Sequence, residues 1–166
     1  MIIDTLNINE FNYINTSLLN NKGMSDLEYA TLKEKHPYAI NRDDNALILS
    51  SMKHHGLHDN EFNTFILNKF GNPNYDIDFF YELIYDVGDY TNPHYDEVIS
   101  VQTTLILLSD EFTGGELLID KKDVEFNKKG MYISFDGFKQ KHSVNKVKSG
   151  QRRVLVIMFN KKQSLL

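Results

Sequence analysis

Hydrophobic positions along the chain change period once. Between Asn60 and Gly71 they follow a helical step: Phe62, Phe65, Ile66 and Phe70 fall on one face. Asp59 or Asn60 serves as the cap, Gly71 terminates the helix and Pro73 blocks its continuation. An earlier helix is predicted after Ser25-Asp26-Leu27-Glu28, which has the spacing of a capping box; good helix formers continue to about Lys35, before Pro37. From Ile77 the period becomes two, with Ile77, Phe79, Tyr81, Leu83 and Tyr85 alternating against Asp78, Phe80, Glu82, Ile84 and Asp86, which predicts a long strand. Further strands are predicted over 97–108, 115–120, 123–127, 130–135, 141–148 and 151–160. Turn signals at Thr113-Gly114-Gly115, Asn127 to Gly130, Asp136-Gly137 and Ser149-Gly150 separate several of them. Strands that follow two helices in this way imply an α+β chain, mainly β, built as a double-stranded β-helix or jelly roll with N-terminal supporting helices.

At 166 residues, without repeats or a linker-like tract, the chain reads as one domain. Residues 1–75 form the helical support and a lid, and 76–162 the jelly-roll core. The apolar runs, Leu105 to Leu108 and Val154 to Phe159, are of strand length and far short of the ~20 residues that span a bilayer. The first residues, MIIDTLNINE, lack the basic start and apolar stretch of a signal peptide, so a cytoplasmic location is expected. With no cysteine, thiolate metal sites and cysteine nucleophiles are excluded, and any metal must sit on nitrogen and oxygen. A net charge of −5 disfavours nonspecific nucleic-acid binding. Lys139, Lys141, Lys146, Lys148, Arg152 and Arg153 gather near the C-terminus, where a solvated strand face accounts for most of them.

Candidate chemistry begins at Asn92-Pro93-His94-Tyr95-Asp96. Positions two apart in a strand project to the same face, so His94 and Asp96 can reach one ion. His142 lies 46 residues after Asp96 on another predicted strand. Two histidines and a carboxylate make the facial triad that leaves adjacent positions open on a non-haem Fe(II) ion. His54, His55 and His58, in a Gly-containing loop, are a competing cluster, and His36 a weaker candidate. Downstream of His142, a Gly turn at Gly150 leads to Arg152 entering the next strand, and a planar guanidinium suits a two-pronged grip on a carboxylate. Arg153 projects to the opposite face, so only one of the pair can enter a pocket.

These segments, in this order, resemble the 2-oxoglutarate/Fe(II) oxygenases, and among them the prolyl 4-hydroxylase-like branch. The resemblance covers roughly Phe79 to Phe159. It is carried by Tyr85-Asp-Val-Gly88 before Pro93-His94-Tyr95-Asp96, by Leu108-Ser109-Asp110 before Gly114-Gly115-Glu116-Leu117, by Phe135 seven residues before His142, and by Gly150-x-Arg152 after it. It implies His94, Asp96 and His142 as iron ligands and Arg152, ten residues after His142, as the anchor for the distal carboxylate of 2-oxoglutarate. It places Tyr85 near the co-substrate, a position that a core aromatic would equally explain. Relatives often carry a second tyrosine where this chain has Leu107, so Thr104 is the hydroxyl expected to assist Arg152. The implied cofactors are Fe(II), 2-oxoglutarate and O2, with ascorbate as an accessory reductant. The implied reaction hydroxylates a peptidyl side chain, proline foremost, and releases succinate and CO2. A free amino acid or small metabolite, a methylated nucleic acid, a cupin-like metal protein without oxygenase activity and an inactive interaction module are the alternatives.

Overall fold

The computed structural model describes residues 1–20, 47–48, 51–55, 60–96 and 100–162. Its elements in chain order are β1 (Ile2–Thr5), α1 (Ile8–Asn20), β2 (Leu47–Ile48), β3 (Ser51–His55), α2 (Asn60–Phe70), β4 (Tyr75–Tyr85), β5 (Tyr90–His94), β6 (Ser100–Leu107), β7 (Phe112–Gly114), β8 (Leu117–Ile119), β9 (Lys122–Val124), β10 (Met131–Phe135), β11 (His142–Val144), β12 (Val147–Gly150) and β13 (Arg152–Lys161). A six-stranded sheet, ordered β1-β10-β6-β13-β4-β3, faces a five-stranded sheet ordered β2-β5-β11-β8-β9; β12 and β7 form a separate two-stranded ribbon. All the pairings are antiparallel. The double-sheet jelly roll is therefore present, with helices packed outside it.

β13 lies at the centre of the large sheet, between β4 and β6. Its residues Val154 to Phe159 are all buried because both faces of this sheet are covered. On the inner face, Val154, Val156 and Met158 join Tyr81, Leu83, Leu105, Leu107 and Ile133 in a core shared with Leu117, Ile119 and Val144 of the small sheet. On the outer face, Leu155, Ile157 and Phe159 pack with Ile106 and Tyr132 against Phe11, Ile14 and Leu18 of α1 and Phe62, Ile66 and Phe70 of α2. At about 1.5–3 kcal/mol for each large apolar side chain fully buried, this outer layer holds the helices to the sheet.

The N-terminal region provides the expected supporting helices. It supplies strands as well: β1 and β3 form the two edges of the large sheet, and β2 an edge of the small one. α1 was not predicted, yet its signal is local. Asn7 Oδ1 accepts from the Glu10 amide at 2.8 Å and Glu10 Oε1 accepts from the Asn7 amide at 3.0 Å, a reciprocal capping box. α2 matches the predicted helix, whereas the helix predicted from Ser25 to Lys35 lies outside the described residues. His54 and His55 belong to β3 rather than to a loop, and His36 and His58 lie outside the described residues. Among the described residues, no helix is long and apolar enough to cross a membrane.

Candidate active site

The antiparallel register of β5 and β11 places His94 directly opposite His142. Their rings lie 4.3 Å apart between centroids. Each ring is oriented in the same way: Nδ1 of His94 lies 2.7 Å from the Asn92 carbonyl and Nδ1 of His142 lies 2.9 Å from the Gln140 carbonyl. A carbonyl can only accept, so each Nδ1 carries a proton, and in the neutral ring that leaves each Nε2 as the lone-pair donor.

Asp96 reaches the same point, as its spacing from His94 suggests, from just beyond the end of β5 at His94. Its amide donates to the Gly137 carbonyl at 2.8 Å. Asp96 Oδ1 then lies 3.4 Å from His142 Nε2 and 3.8 Å from His94 Nε2. The ligand atoms of the three residues all fall within 4.8 Å of one another. Neighbouring donors on one octahedral first-row ion, each about 2.1 Å from it, sit about 3 Å apart. The two Asp96–histidine separations exceed this by about 0.4 and 0.8 Å, so the three donors converge on one point without an ion to draw them together. One buried carboxylate and two neutral imidazoles suit a divalent transition ion, so the residues fit Fe(II).

The other Asp96 oxygen, Oδ2, accepts from the Thr103 hydroxyl at 2.5 Å. Gly137 packs against this carboxylate so closely that a Cβ there would overlap Oδ2. Neither Thr103 nor Gly137 stood out in the sequence as part of the site.

Beside the three donors lies a cleft of about 480 Å³, counting the space open to solvent, and Arg152 lines it together with Tyr85, Thr91, Thr103 and Ser143. Arg152 is 0% exposed, and among the described residues its Nε, Nη1 and Nη2 have no hydrogen-bond partner. Its guanidinium carbon sits 5.2 Å from the Tyr85 ring centroid and 5.8 Å from that of Phe126. Burial pushes the guanidinium below its ordinary range, with the Tyr85 hydroxyl acting in the opposite sense. An arginine remains a cation near neutrality, so this one lacks only an anion. Gly115 makes room for it: with φ of +67°, a Cβ at that position would come within 2.9 Å of Arg152 Cδ. Arg153 points to the outer face, where it is ion-paired to buried Glu82, its Nε donating to Oε1 at 2.7 Å.

Thr104 is not brought to the cleft. Its hydroxyl lies on the outer face of the large sheet, 2.8 Å from Ser134 Oγ, and accepts from Gln102 Nε2 at 3.0 Å; the same Nε2 donates to the Phe70 carbonyl at the end of α2. Two buried hydroxyls are thereby satisfied in a structural role. Among the hydroxyls that do line the cleft are those of Tyr85, whose ring lies beside Arg152, and Thr91, 2.8 Å from each other. Leu107 packs in the inner core.

No protein-family profile and no curated protein sequence matches the chain. Solved structures do resemble it. An oxidoreductase of the 2OG-Fe(II) oxygenase family from Burkholderia pseudomallei superposes with a TM-score of 0.52 at 19% identity, over 63% of this chain and 52% of its own. The viral collagen prolyl hydroxylase of Paramecium Bursaria Chlorella virus-1, in its 2OG complex, gives 0.51 at 18% identity over 84% and 92% of the two chains. A prolyl hydroxylase from Trichoplax adhaerens, in complex with a hypoxia inducible factor oxygen degradation domain peptide fragment, gives 0.54 at 12% identity over 93% and 92%. At these identities the likeness shows a shared fold, the double-stranded β-helix with its flanking helices.

Proposed function

We propose that this protein is an Fe(II)- and 2-oxoglutarate-dependent dioxygenase that hydroxylates a peptidyl side chain, proline foremost. In this reading His94, Asp96 and His142 hold the ion and leave three adjacent positions open. Arg152 anchors the distal carboxylate of 2-oxoglutarate through its fork of donors. Tyr85 and Thr91 border that carboxylate, in place of the hydroxyl that Thr104 does not supply. Bound there, Fe(II) and the oxo acid supply the oxidising chemistry: one oxygen atom of O2 enters a substrate C–H bond as hydroxyl, the other enters succinate, and CO2 leaves. The protein's own contribution is to fix three donors, present a desolvated cation and exclude water from the cleft.

The observation that carries the reading is Arg152. Burying a cation without a partner costs several kcal/mol, so a protein that merely needed a metal site would not keep one beside it. That cost is offset when a carboxylate enters, which favours an oxo-acid co-substrate over a cupin-like metal protein. The choice of a peptide substrate draws on the two prolyl hydroxylases of the same fold, one of them bound to a peptide.

The test is O2-dependent succinate formation by the Fe(II)-loaded protein with proline-containing peptides, free proline and methylated oligonucleotides in parallel. Hydroxylated peptide by mass spectrometry is the expected product. Turnover with free proline alone, or formaldehyde release from the oligonucleotide, would replace the substrate assignment. Failure of the iron-loaded protein to bind 2-oxoglutarate would defeat the oxygenase reading itself.

A further inference from the structure

We infer that Thr103 is a positioning residue for the metal carboxylate: its hydroxyl holds Asp96 so that one oxygen faces the two histidines while the other is turned away. The inference rests on the reading of this site as an Fe(II) centre. Asp96 Oδ2 accepts the Thr103 hydroxyl at 2.5 Å, and Oδ1 is the oxygen 3.4 Å from His142 Nε2 and 3.8 Å from His94 Nε2. The two oxygens of one carboxylate are therefore divided between two tasks.

The surroundings enforce that division. Both residues are buried, at 2% exposure for Thr103 and 8% for Asp96, so water does not compete for the bond. The Asp96 amide is fixed to the Gly137 carbonyl, and the missing side chain of Gly137 is the space that Oδ2 and the threonine hydroxyl share. Among the described residues the hydroxyl also reaches Met158 Sδ at 3.5 Å, but a thioether is a weak acceptor and a carboxylate a strong one. The proton therefore goes to Asp96.

The consequence concerns coordination number. A carboxylate can bind an ion through one oxygen or two, and the second mode would occupy one of the positions that the oxo acid and O2 require. With Oδ2 engaged by Thr103, Asp96 acts as a one-oxygen ligand. β6 thus contributes to the metal centre without supplying a ligand.

The experiment compares Thr103→Val, which keeps the shape and loses the hydroxyl, with Thr103→Ser, which keeps the hydroxyl and loses a methyl. Fe(II) affinity of the full chain is measured without oxygen by competition with a colorimetric chelator. Removing the hydroxyl is expected to weaken Fe(II) binding by about ten- to a hundredfold, as loss of a group that orients a ligand commonly does, while Ser stays close to the parent protein. A role in packing alone predicts the reverse order, and equal affinities for the parent and the valine variant would overturn the inference. Should Thr103→Val fail to fold, as judged by its circular-dichroism melt, Thr103→Ala reads the same loss. A parent protein that takes up no Fe(II) would sink the site assignment and this inference together; a parent that binds Fe(II) as tightly as its valine variant sinks this inference alone.

Discussion

Arg152 and Arg153 are neighbours in sequence with opposite energetic roles, and substitutions separate them. Arg152→Leu removes a buried cation that has no hydrogen-bond partner among the described residues. It is expected to raise the stability of the ligand-free protein by about 1–4 kcal/mol, as replacing buried charge with apolar volume often does, while abolishing 2-oxoglutarate binding. Arg153→Leu instead removes an ion-pair partner of buried Glu82 and should cost about 1–3 kcal/mol with 2-oxoglutarate affinity intact. Urea denaturation and calorimetric titration of the two variants check both halves; equal effects on ligand affinity would show that the roles are misassigned. Gly115 offers a subtler probe of the same pocket. Gly115→Ala pushes on Arg152 Cδ, so 2-oxoglutarate should bind about ten- to a hundredfold more weakly, a typical result of a displacement near 1 Å, with Mn(II) affinity unchanged. At this scale the sequence was legible where residue types are distinctive. His94, Asp96, His142 and Arg152 stand out by residue type and by their order along the chain, whereas Thr103 and Thr104 carry the same hydroxyl on opposite faces of β6. Because both faces of that strand are buried, Leu105, Ile106 and Leu107 are all apolar and conceal the alternation that would have told the two threonines apart.

Among the elements, α1 is held by more than its apolar face. Its Asn7–Glu10 capping box is joined by an ion pair from Glu10 to Lys69 of α2, at 2.8 Å. Asn7→Ala should cost about 1 kcal/mol, measurable by thermal or urea unfolding. The Lys69 bond first, and the Asn7 backbone amide second, hold the Glu10 carboxyl below its ordinary value. A carboxyl whose folded-state value is depressed adds stability that is full above its unfolded value of 4.5 and fades as pH falls through the folded-state one. Glu10→Gln should therefore be less stable than the parent near neutrality and approach it in acid; parallel stability curves across that range would refute the coupling. Elements were readable when long and periodic, as β4 and α2 are. β2, β3 and β7 are two, five and three residues long and take their stability from pairing partners that the local pattern does not reveal. β11 and β12 were expected as one strand, but they separate at Asn145-Lys146 and join different sheets. β5, the strand on which the sequence sets His94, contains Pro93, a residue that weakens the local strand signal.

Across the whole molecule, the proposed ligands connect the two sheets. His94 and His142 belong to the small sheet, Arg152 and Thr103 to the large one, and Asp96 is tied to both layers through His142 and Thr103. Fe(II) with 2-oxoglutarate at about 100 times its dissociation constant should add about 2.7 kcal/mol of stability, or roughly 5–10 °C in Tm for a domain of this size. A chelator should reverse the gain, and an unchanged melt with both ligands present would count against a shared site. The Tyr85 ring beneath the Arg152 guanidinium has an optical consequence as well. The chain contains nine tyrosines and no tryptophan, so its intrinsic ultraviolet emission is tyrosine emission, without a brighter indole to mask it. Tyr85 is the tyrosine next to the buried cation, and its hydroxyl is bonded within the cleft to Thr91. Entry of an anion beside that ring is expected to change this emission, a label-free signal of occupancy, and Tyr85→Phe should abolish that part of the change.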